Sequence, residues 1–167
     1  MFKEIKFSDL KENLGEKLKN EWALVCAGDE KDFNMMTISW GAFGELWNKN
    51  MMTIYIRENR HTTSFLEKEE YFTINFFPKE YKKELGICGM KSGKDFNKLE
   101  LTGFTKDYDK APFINEANLV LICKKIAKGS FKDYQIYDDS VNIDYNSDYY
   151  HNIYNGEIVK VLRKEQK

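Results

Sequence analysis

The sequence contains few cysteines, few prolines and no long apolar run. Its three cysteines, Cys26, Cys88 and Cys123, include no CxxC pair, so neither a zinc ribbon nor a thioredoxin-type motif is supported. The longest apolar runs, at 22–27 and 119–123, fall far short of the ~20 residues that span a bilayer, so we expect no membrane partner. With two prolines and no Gly/Ser-rich linker, residues 1–167 are predicted to form one domain.

The chain also lacks a surplus of positive charge. Lys and Arg number 26 against 27 Asp and Glu, and this balance argues against nucleic acid as a partner. Apolar residues make up 42 % and aromatic residues 15 % of the chain, which excludes a disordered protein and supplies a large core. Residues 1–20 contain no apolar signal region, so we expect a cytoplasmic location.

The charges that are present are distributed unevenly. Segment 133–157 contains six acidic residues and no Lys or Arg, whereas Lys91, Lys94 and Lys98 lie close together in sequence. The lysine cluster is typical of a solvated surface. The acidic segment either repels an anionic dinucleotide or forms a docking surface for a basic partner, and the sequence does not decide between the two.

Short alternating or apolar segments predict a mostly β protein with a few peripheral short helices. The predicted strands are 22–27, 33–40, 51–56, 71–77, 101–105, 119–126 and 153–162. The predicted helices are 9–19 with Ser8 as a cap, 62–69, and 79–85 after Pro78. The short spacing between the first four strands favours a meander or barrel over βαβ units.

Residues 57–64 join a predicted strand to a predicted helix and combine cations with hydroxyls. Arg57, Arg60 and His61 are followed by Thr62 and Thr63 at the expected helix start. Unpaired N–H groups at a helix start and planar guanidinium donors both suit a phosphate. The alternative is a capped helix with exposed charges.

Two further segments have residue types that suit a ligand site. In the predicted strand at 33–40, Thr37 and Ser39 share one face, and Trp40 follows beside Gly41; on its own this is an ordinary amphipathic strand. Residues 88–98 read as a flexible cationic loop without Walker A spacing. With two histidines and no GxSxG or HExxH motif, a hydrolytic triad and a metalloprotease site are both poorly supported.

Taken together, six stretches resemble the flavin reductase-like, FMN-binding split-barrel family, and its flavoredoxins in particular. They are NMMTISWG (34–41), RENRHTTSF (57–65), FTINFFP (72–78), CGMKSGKDFNK (88–98), INEANLVLICK (114–124) and HNIYNGEIVKV (151–161). The resemblance implies an antiparallel, Greek-key-like split β-barrel with a core at 22–162, which forms a homodimer with FMN near the subunit interface. Asn97 and Leu99 depart from the family pattern, and 128–150 has no clear match.

The resemblance also implies which residues bind FMN. The ring would lie against the segment at 34–40, and the phosphate would meet the segment at 57–63. The implied cofactor-binding residues are Asn34, Met35, Met36, Thr37, Ser39, Trp40, Arg57, Arg60, His61, Thr62, Thr63, Asn75, Ser92, Lys98 and His151.

A flat ring on a dianionic tail needs aromatic walls, amide groups at the ring edge and cations at the phosphate. The sequence offers Trp40, Phe76 and Phe77 for the walls, and Asn75 with Asn34 for the ring edge. Because the flavin carries the redox chemistry, no protein nucleophile is required.

Three functions remain open at this point. The first is an oxidoreductase that transfers electrons between NADH or NADPH and a flavin or another small-molecule acceptor. The second is a flavoredoxin-type carrier that is reduced by a redox protein partner. The third is a binding module without flavin turnover. One fold hosts many functions, so fold alone does not choose among them.

Overall fold

A computed structural model describes residues 1–145 and 149–165, with the backbone alone for 142–144. Ten strands are described: β1 (Phe2–Ile5), β2 (Ala23–Gly28), β3 (Phe33–Ile38), β4 (Gly41–Leu46), β5 (Lys49–Arg57), β6 (Tyr71–Phe76), β7 (Lys106–Asp109), β8 (Ala111–Ile114), β9 (Leu119–Ser130) and β10 (His151–Lys164). The α-helices are short: α1 (Leu14–Glu16), α2 (Thr62–Lys68), α3 (Lys82–Met90) and α4 (Lys98–Thr102). The expectation of a mostly β protein with peripheral helices is confirmed.

Eight strands form one antiparallel sheet in the order β3-β2-β6-β9-β10-β5-β4, with β1 added beside β10, while β7 and β8 pair separately. This order is not sequential, as expected for a Greek-key-like barrel rather than a simple meander. Strand β2, which pairs with β3 on one side and β6 on the other, is buried along its whole length, because Val25 faces one apolar cluster and Leu24 the other. Two cores therefore cover the two faces of the sheet.

The strand predicted at 101–105 is wrong. Helix α4 occupies Lys98–Thr102, and the next strand, β7, begins only at Lys106. The Asn97 side chain accepts hydrogen bonds from the backbone N–H groups of Leu99 and Glu100, which starts the helix. Gly103 then ends the helix with a φ of 71°, a conformation that glycine adopts without strain.

The predicted helix at 9–19 is much shorter in the structure. Asn13, and not Ser8, caps α1 at Leu14–Glu16, and a wider π turn continues over Lys17–Glu21. The apolar spacing was nevertheless informative, because Leu14 and Leu18 are buried in the core.

Other boundaries also differ from the predictions. Four strands, β1, β4, β7 and β8, are not among the predicted strands. Helix α2 begins at Thr62, as predicted. The expected loop at 88–98 is shorter, since Cys88–Met90 close α3 and Lys98 opens α4. Within the part of the chain that the structure describes, no helix is long and apolar enough to cross a membrane.

Candidate functional site

The end of β3, the end of β5 and the start of β10 enclose a cavity of about 240 Å³, here called the tryptophan cavity. It is lined by Met36, Thr37, Ile38, Ser39, Trp40, Tyr55, Arg57, Arg60 and His151. Strand pairing brings His151 directly opposite Arg57, so the two residues point to the same side of the sheet.

Strand β3 contributes residues from both of its faces to the lining of this cavity. Met36 and Ile38 are buried in the core, as their alternation predicts. Thr37 lies on the other face, but its hydroxyl donates a hydrogen bond to the backbone carbonyl of Leu85 in α3. Thr37 therefore ties β3 to α3 while it lines the cavity.

A second cavity of about 140 Å³, here called the lysine cavity, adjoins the first one. It is lined by Asn34, Met36, Asn59, Arg60, His61, Thr62, Met90, Lys91, Ser92, Gly93 and Lys98. Arg60 and Met36 line both cavities, so the two are neighbours. Arg60 is fixed by a 2.6 Å hydrogen bond from its guanidinium to the carbonyl of Gly89.

Asn34 and Thr62 connect β3 to the start of α2. The Asn34 side-chain amide donates to the Thr62 hydroxyl over 2.8 Å, and both residues are buried. Gly93 packs against the same amide: a Cβ at this position would lie 2.0 Å from Asn34 Oδ1. A larger residue at position 93 would therefore displace the Asn34 side chain.

Lys98 is a buried cation, only 6 % exposed. Its ammonium group donates to the carbonyls of Met35 over 2.6 Å and Cys88 over 2.9 Å. Burial lowers the pKa of Lys98, and the nearby positive charge of Arg60 acts in the same direction. Two cations thus meet at the lysine cavity in spite of their mutual repulsion.

An aromatic wall closes the outer side of the tryptophan cavity. The Trp40 and His151 rings lie 5.1 Å apart, and Trp40 remains 48 % exposed. The Tyr145 hydroxyl lies 3.0 Å from His151 Nδ1. Tyr145 belongs to the 3₁₀ turn Asp139–Tyr145, in the region 128–150 that has no clear match to the family pattern.

A third cavity, of about 380 Å³, lies beyond the lysine cavity. It is lined by Phe33, Asn34, Met35 and residues 93–99. Asn34, Gly93 and Lys98 are shared with the lysine cavity, so the three concavities follow one another along β3. Together they bring thirteen of the predicted site residues to one groove.

The structure contradicts the predicted contact of Asn75 with the ring edge of the cofactor. Asn75 is fully buried in the interior, where its amide donates to the Leu24 carbonyl and the Thr73 hydroxyl and its oxygen accepts from Ile114 N–H. No surface remains for a ring edge, so Asn75 holds β6, β2 and β8 together instead.

The predicted aromatic walls at Phe76 and Phe77 are also wrong. Phe76 lies in one core cluster and Phe77 in the other, each at most 2 % exposed. Thr63 does not line the cavities either, because its hydroxyl donates to the backbone carbonyl of Arg57 and shapes the turn before α2.

Several lining residues were missed from the sequence. Tyr55 lines the tryptophan cavity, and its position two residues before Arg57 in a strand was an available signal. Asn59, Met90 and Gly93 carried no such signal, since a turn and a loop bring them to the lysine cavity. Of the acidic residues at 133–157, Asp148 lies outside the described residues, and the Asp144 side chain is likewise not described.

The groups that line the groove are suited to binding a ligand. All three thiols are buried, and burial raises the pKa of Cys88 to about 11, so none of them offers a thiolate near neutral pH. The described residues contain no cluster of three or more His, Cys, Asp or Glu that could hold a metal ion. The groove instead combines an aromatic wall at one end with cations and polar groups at the other.

A wider groove of about 690 Å³ between residues 12–21 and 78–85 is a weaker candidate. Two of its lysines, Lys17 and Lys79, already pair with Glu21, the first over 2.6 Å. Its lining residues include no aromatic side chain.

Comparisons with known proteins identify the family and the fold. A model of the flavin reductase like domain matches residues 16–167. Flavoredoxin from Methanosarcina acetivorans is similar, with a TM-score of 0.69 at 21 % identity over 87 % of this chain and 69 % of that chain. No protein with a curated description is matched by the sequence.

Two further solved structures are similar. The FMN-binding domain of a flavin reductases-like enzyme from Shewanella baltica OS155 gives a TM-score of 0.68 at 16 % identity, over 98 % of this chain and 77 % of that one. An NADH:FAD oxidoreductase from Streptomyces globisporus gives 0.61 at 16 % identity, over 86 % and 75 %. These likenesses show the split-barrel fold. Because the domain model spans nearly the whole sequence, the chain belongs to the flavin reductase-like family.

Proposed function

We propose that the chain binds FMN and acts as an oxidoreductase that transfers electrons between NADH or NADPH and a flavin or another acceptor. The observation that carries the proposal is the position of Arg60, which lines both the tryptophan cavity and the lysine cavity. A planar ring in the first cavity and an anionic tail in the second would occupy one continuous groove. Neither cavity alone reaches the ~300 Å³ of a typical ligand pocket, so the ligand must use both.

The residues fit FMN by their chemistry. In the tryptophan cavity, Trp40, Tyr55 and Met36 offer apolar surface to a ring. Arg57 and His151 line the same cavity and offer polar groups to the ring edge. Arg60, Lys91 and Lys98 surround the lysine cavity and would neutralise a dianionic phosphate. Bound FMN would supply the hydride and electron chemistry, so the protein's part is to bind, orient and shield it.

A flavoredoxin-type electron carrier is the second candidate. The similarity to the flavoredoxin from Methanosarcina acetivorans favours it, as do Asp133, Asp138 and Asp139, which are exposed in the connection between β9 and β10 and would attract a basic protein partner. The NADH:FAD oxidoreductase from Streptomyces globisporus favours direct use of a nicotinamide.

We also propose a homodimer. Leu46 and Trp47 at the β4–β5 turn are 43 % and 56 % exposed, and Trp40 is exposed beside the cavity. A second copy that covers these apolar side chains would remove them from water. Sedimentation equilibrium that shows only monomer at high micromolar concentration would contradict this assembly.

The binding proposal is tested by comparing FMN with riboflavin, which lacks the phosphate. Arg60→Ala should weaken FMN binding about 10- to 100-fold, because a charge-assisted hydrogen bond contributes roughly 1.5–3 kcal/mol, while riboflavin binding changes little. Arg163→Ala is the matched control, since Arg163 pairs with Glu12 away from both cavities. Equal losses for the two ligands would remove Arg60 from the phosphate, and failure of the unmodified protein to bind FMN would overturn the proposal.

Stopped-flow mixing separates the two candidate functions. FMN-loaded protein is mixed with NADH and, separately, with NADPH, and the flavin absorbance is followed. Fast bleaching with either nucleotide supports the oxidoreductase. Absence of bleaching with both, together with reduction by a chemical reductant, supports the carrier.

A further inference from the structure

Most of the sulfur in this chain is closed to solvent. The six methionines and three cysteines all lie within the described residues, and seven of these nine side chains are at most 7 % exposed. The exceptions are Met1, which is 93 % exposed, and Met90, which is 80 % exposed. Because oxidation of sulfur follows its exposure, a dissolved oxidant reaches these two thioethers before the other seven sulfur atoms.

Met90 lies at the groove, whereas Met1 does not. Helix α3 ends at Met90, which lines the lysine cavity together with Arg60 and Lys91. Met1 lines none of the three cavities of the groove, and its backbone carbonyl accepts from the N–H of Glu165 just after β10. Among the described residues of the groove, Met90 is therefore the one with an exposed sulfur-containing side chain.

The last turn of α3 also holds the two buried or anchored cations of the lysine cavity. The Arg60 guanidinium donates to the carbonyl of Gly89 over 2.6 Å, and the Lys98 ammonium donates to that of Cys88 over 2.9 Å. Met90 follows these two carbonyls directly in sequence. Because Met90 and Arg60 line the same small cavity, a new polar group on Met90 would arise next to the donors proposed for the phosphate.

Hydrogen peroxide converts a thioether into a sulfoxide. The sulfur gives an electron pair to one peroxide oxygen, a sulfur–oxygen bond forms, the oxygen–oxygen bond breaks, and the second oxygen leaves as water with both protons. The sulfur is oxidised by two electrons, and the peroxide is reduced by two. An apolar side chain whose sulfur is a weak acceptor thereby becomes a polar one that carries an oxygen acceptor.

We propose that Met90 is a site of reversible oxidation by peroxide and that its sulfoxide weakens the binding of the phosphate end of the flavin. The sulfoxide oxygen would accept from Arg60 or Lys91 and compete with the phosphate for the same donors. The inference rests on the proposed function, because that function puts the phosphate in the lysine cavity. The effect should therefore be strong for FMN and small for riboflavin, which lacks the phosphate.

The first test maps oxidation without added ligand. The unmodified protein is treated with increasing amounts of hydrogen peroxide, and the sulfoxide at each methionine is measured by mass spectrometry of its peptides. We expect Met1 and Met90 to be oxidised well before Met35, Met51 and Met52, which are at most 4 % exposed. Oxidation of Met90 no faster than that of these three would overturn the proposal.

The second test measures flavin binding after oxidation. Oxidised protein should bind FMN about 2- to 10-fold more weakly than untreated protein, the range expected for one lost hydrogen bond, while riboflavin binding changes little. Methionine sulfoxide reductases should restore the FMN affinity. Equal losses for FMN and riboflavin would mean that the sulfoxide does not act at the phosphate, and this would overturn the proposal.

Met90→Leu is the matched control, because peroxide then finds Met1 as the remaining exposed methionine. The FMN affinity of this variant should be the same before and after treatment. An equal peroxide-induced loss in the variant and in the unmodified protein would assign the effect to another residue and overturn the proposal.

Untreated protein separates a failure at Met90 from a failure of the proposed function. If untreated protein did not bind FMN, the proposed function would fall, and the effect of the sulfoxide on the phosphate end would fall with it. If FMN bound and Arg60→Ala behaved as expected, an unchanged FMN affinity in protein fully oxidised at Met90 would overturn only the role of Met90.

Discussion

Gly93 brings the loop at 91–97 closer to Asn34 than any other residue type allows. A Cβ at position 93 would lie 2.0 Å from Asn34 Oδ1, whereas a Cβ at Gly86 in α3 would meet nothing within 4 Å. A substitution by alanine should therefore have opposite effects on stability at the two positions. At Gly93 a side chain must displace the Asn34 amide, and at Gly86 it only adds helix propensity.

We expect Gly93→Ala to lower stability by about 1 kcal/mol, because it breaks the hydrogen bond from Asn34 to Thr62. It should also weaken FMN binding, since both residues line the lysine cavity. Gly86→Ala should instead raise stability by about 0.5–1 kcal/mol. Urea unfolding and FMN titration of the two variants check this, and a common direction of change would contradict it.

Most of the residues predicted to bind the cofactor line the groove, but not all of them do. Arg57, Arg60 and His151 converge as expected, since a strand pair and a turn fix them. Asn75 could not be placed correctly, because both faces of β6 are buried and alternation no longer separates core from site. The position of Tyr145 beside His151 could not be predicted from the sequence, because Tyr145 lies in an irregular connection between two strands.

Helix α4 is started by its N-cap, Asn97, and not by an amphipathic pattern. Asn97 accepts from two backbone N–H groups, and its own amide donates to the Glu100 carboxylate over 2.7 Å. The β-like residues at 101–105 misled the strand prediction, since a local cap decided the conformation. The long strands were predictable, because apolar runs and alternation extend over several residues in each of them.

Asn97→Ala should lower the free energy of unfolding by about 1 kcal/mol, the usual contribution of an N-cap. Asn97→Ser keeps a side-chain oxygen that can accept from the same N–H groups and should remain within a few tenths of a kcal/mol of the wild type. Urea denaturation measures both variants. If the alanine and serine variants were equally destabilised, the cap would not be the cause.

The whole molecule shields its thiols from water. Cys26, Cys88 and Cys123 are each 0 % exposed, and burial raises the pKa of all three above the ordinary value of 9.0. The folded protein keeps these protons at a pH where the unfolded chain loses them. Their contribution to stability is therefore complete below pH 9 and is lost progressively as the pH rises above it.

Cys123 allows this linkage to be measured alone, because its pKa is raised by burial without a charged neighbour. Cys123→Ala removes the titrating group, so its cost in urea unfolding should shrink by about 1.4 kcal/mol between pH 7.5 and pH 10. Leu121→Val, a buried substitution on the same strand, contains no titrating group and should cost the same at both values. A Cys123→Ala cost that did not change with pH would mean that the thiol ionises as easily in the folded protein as in the unfolded chain.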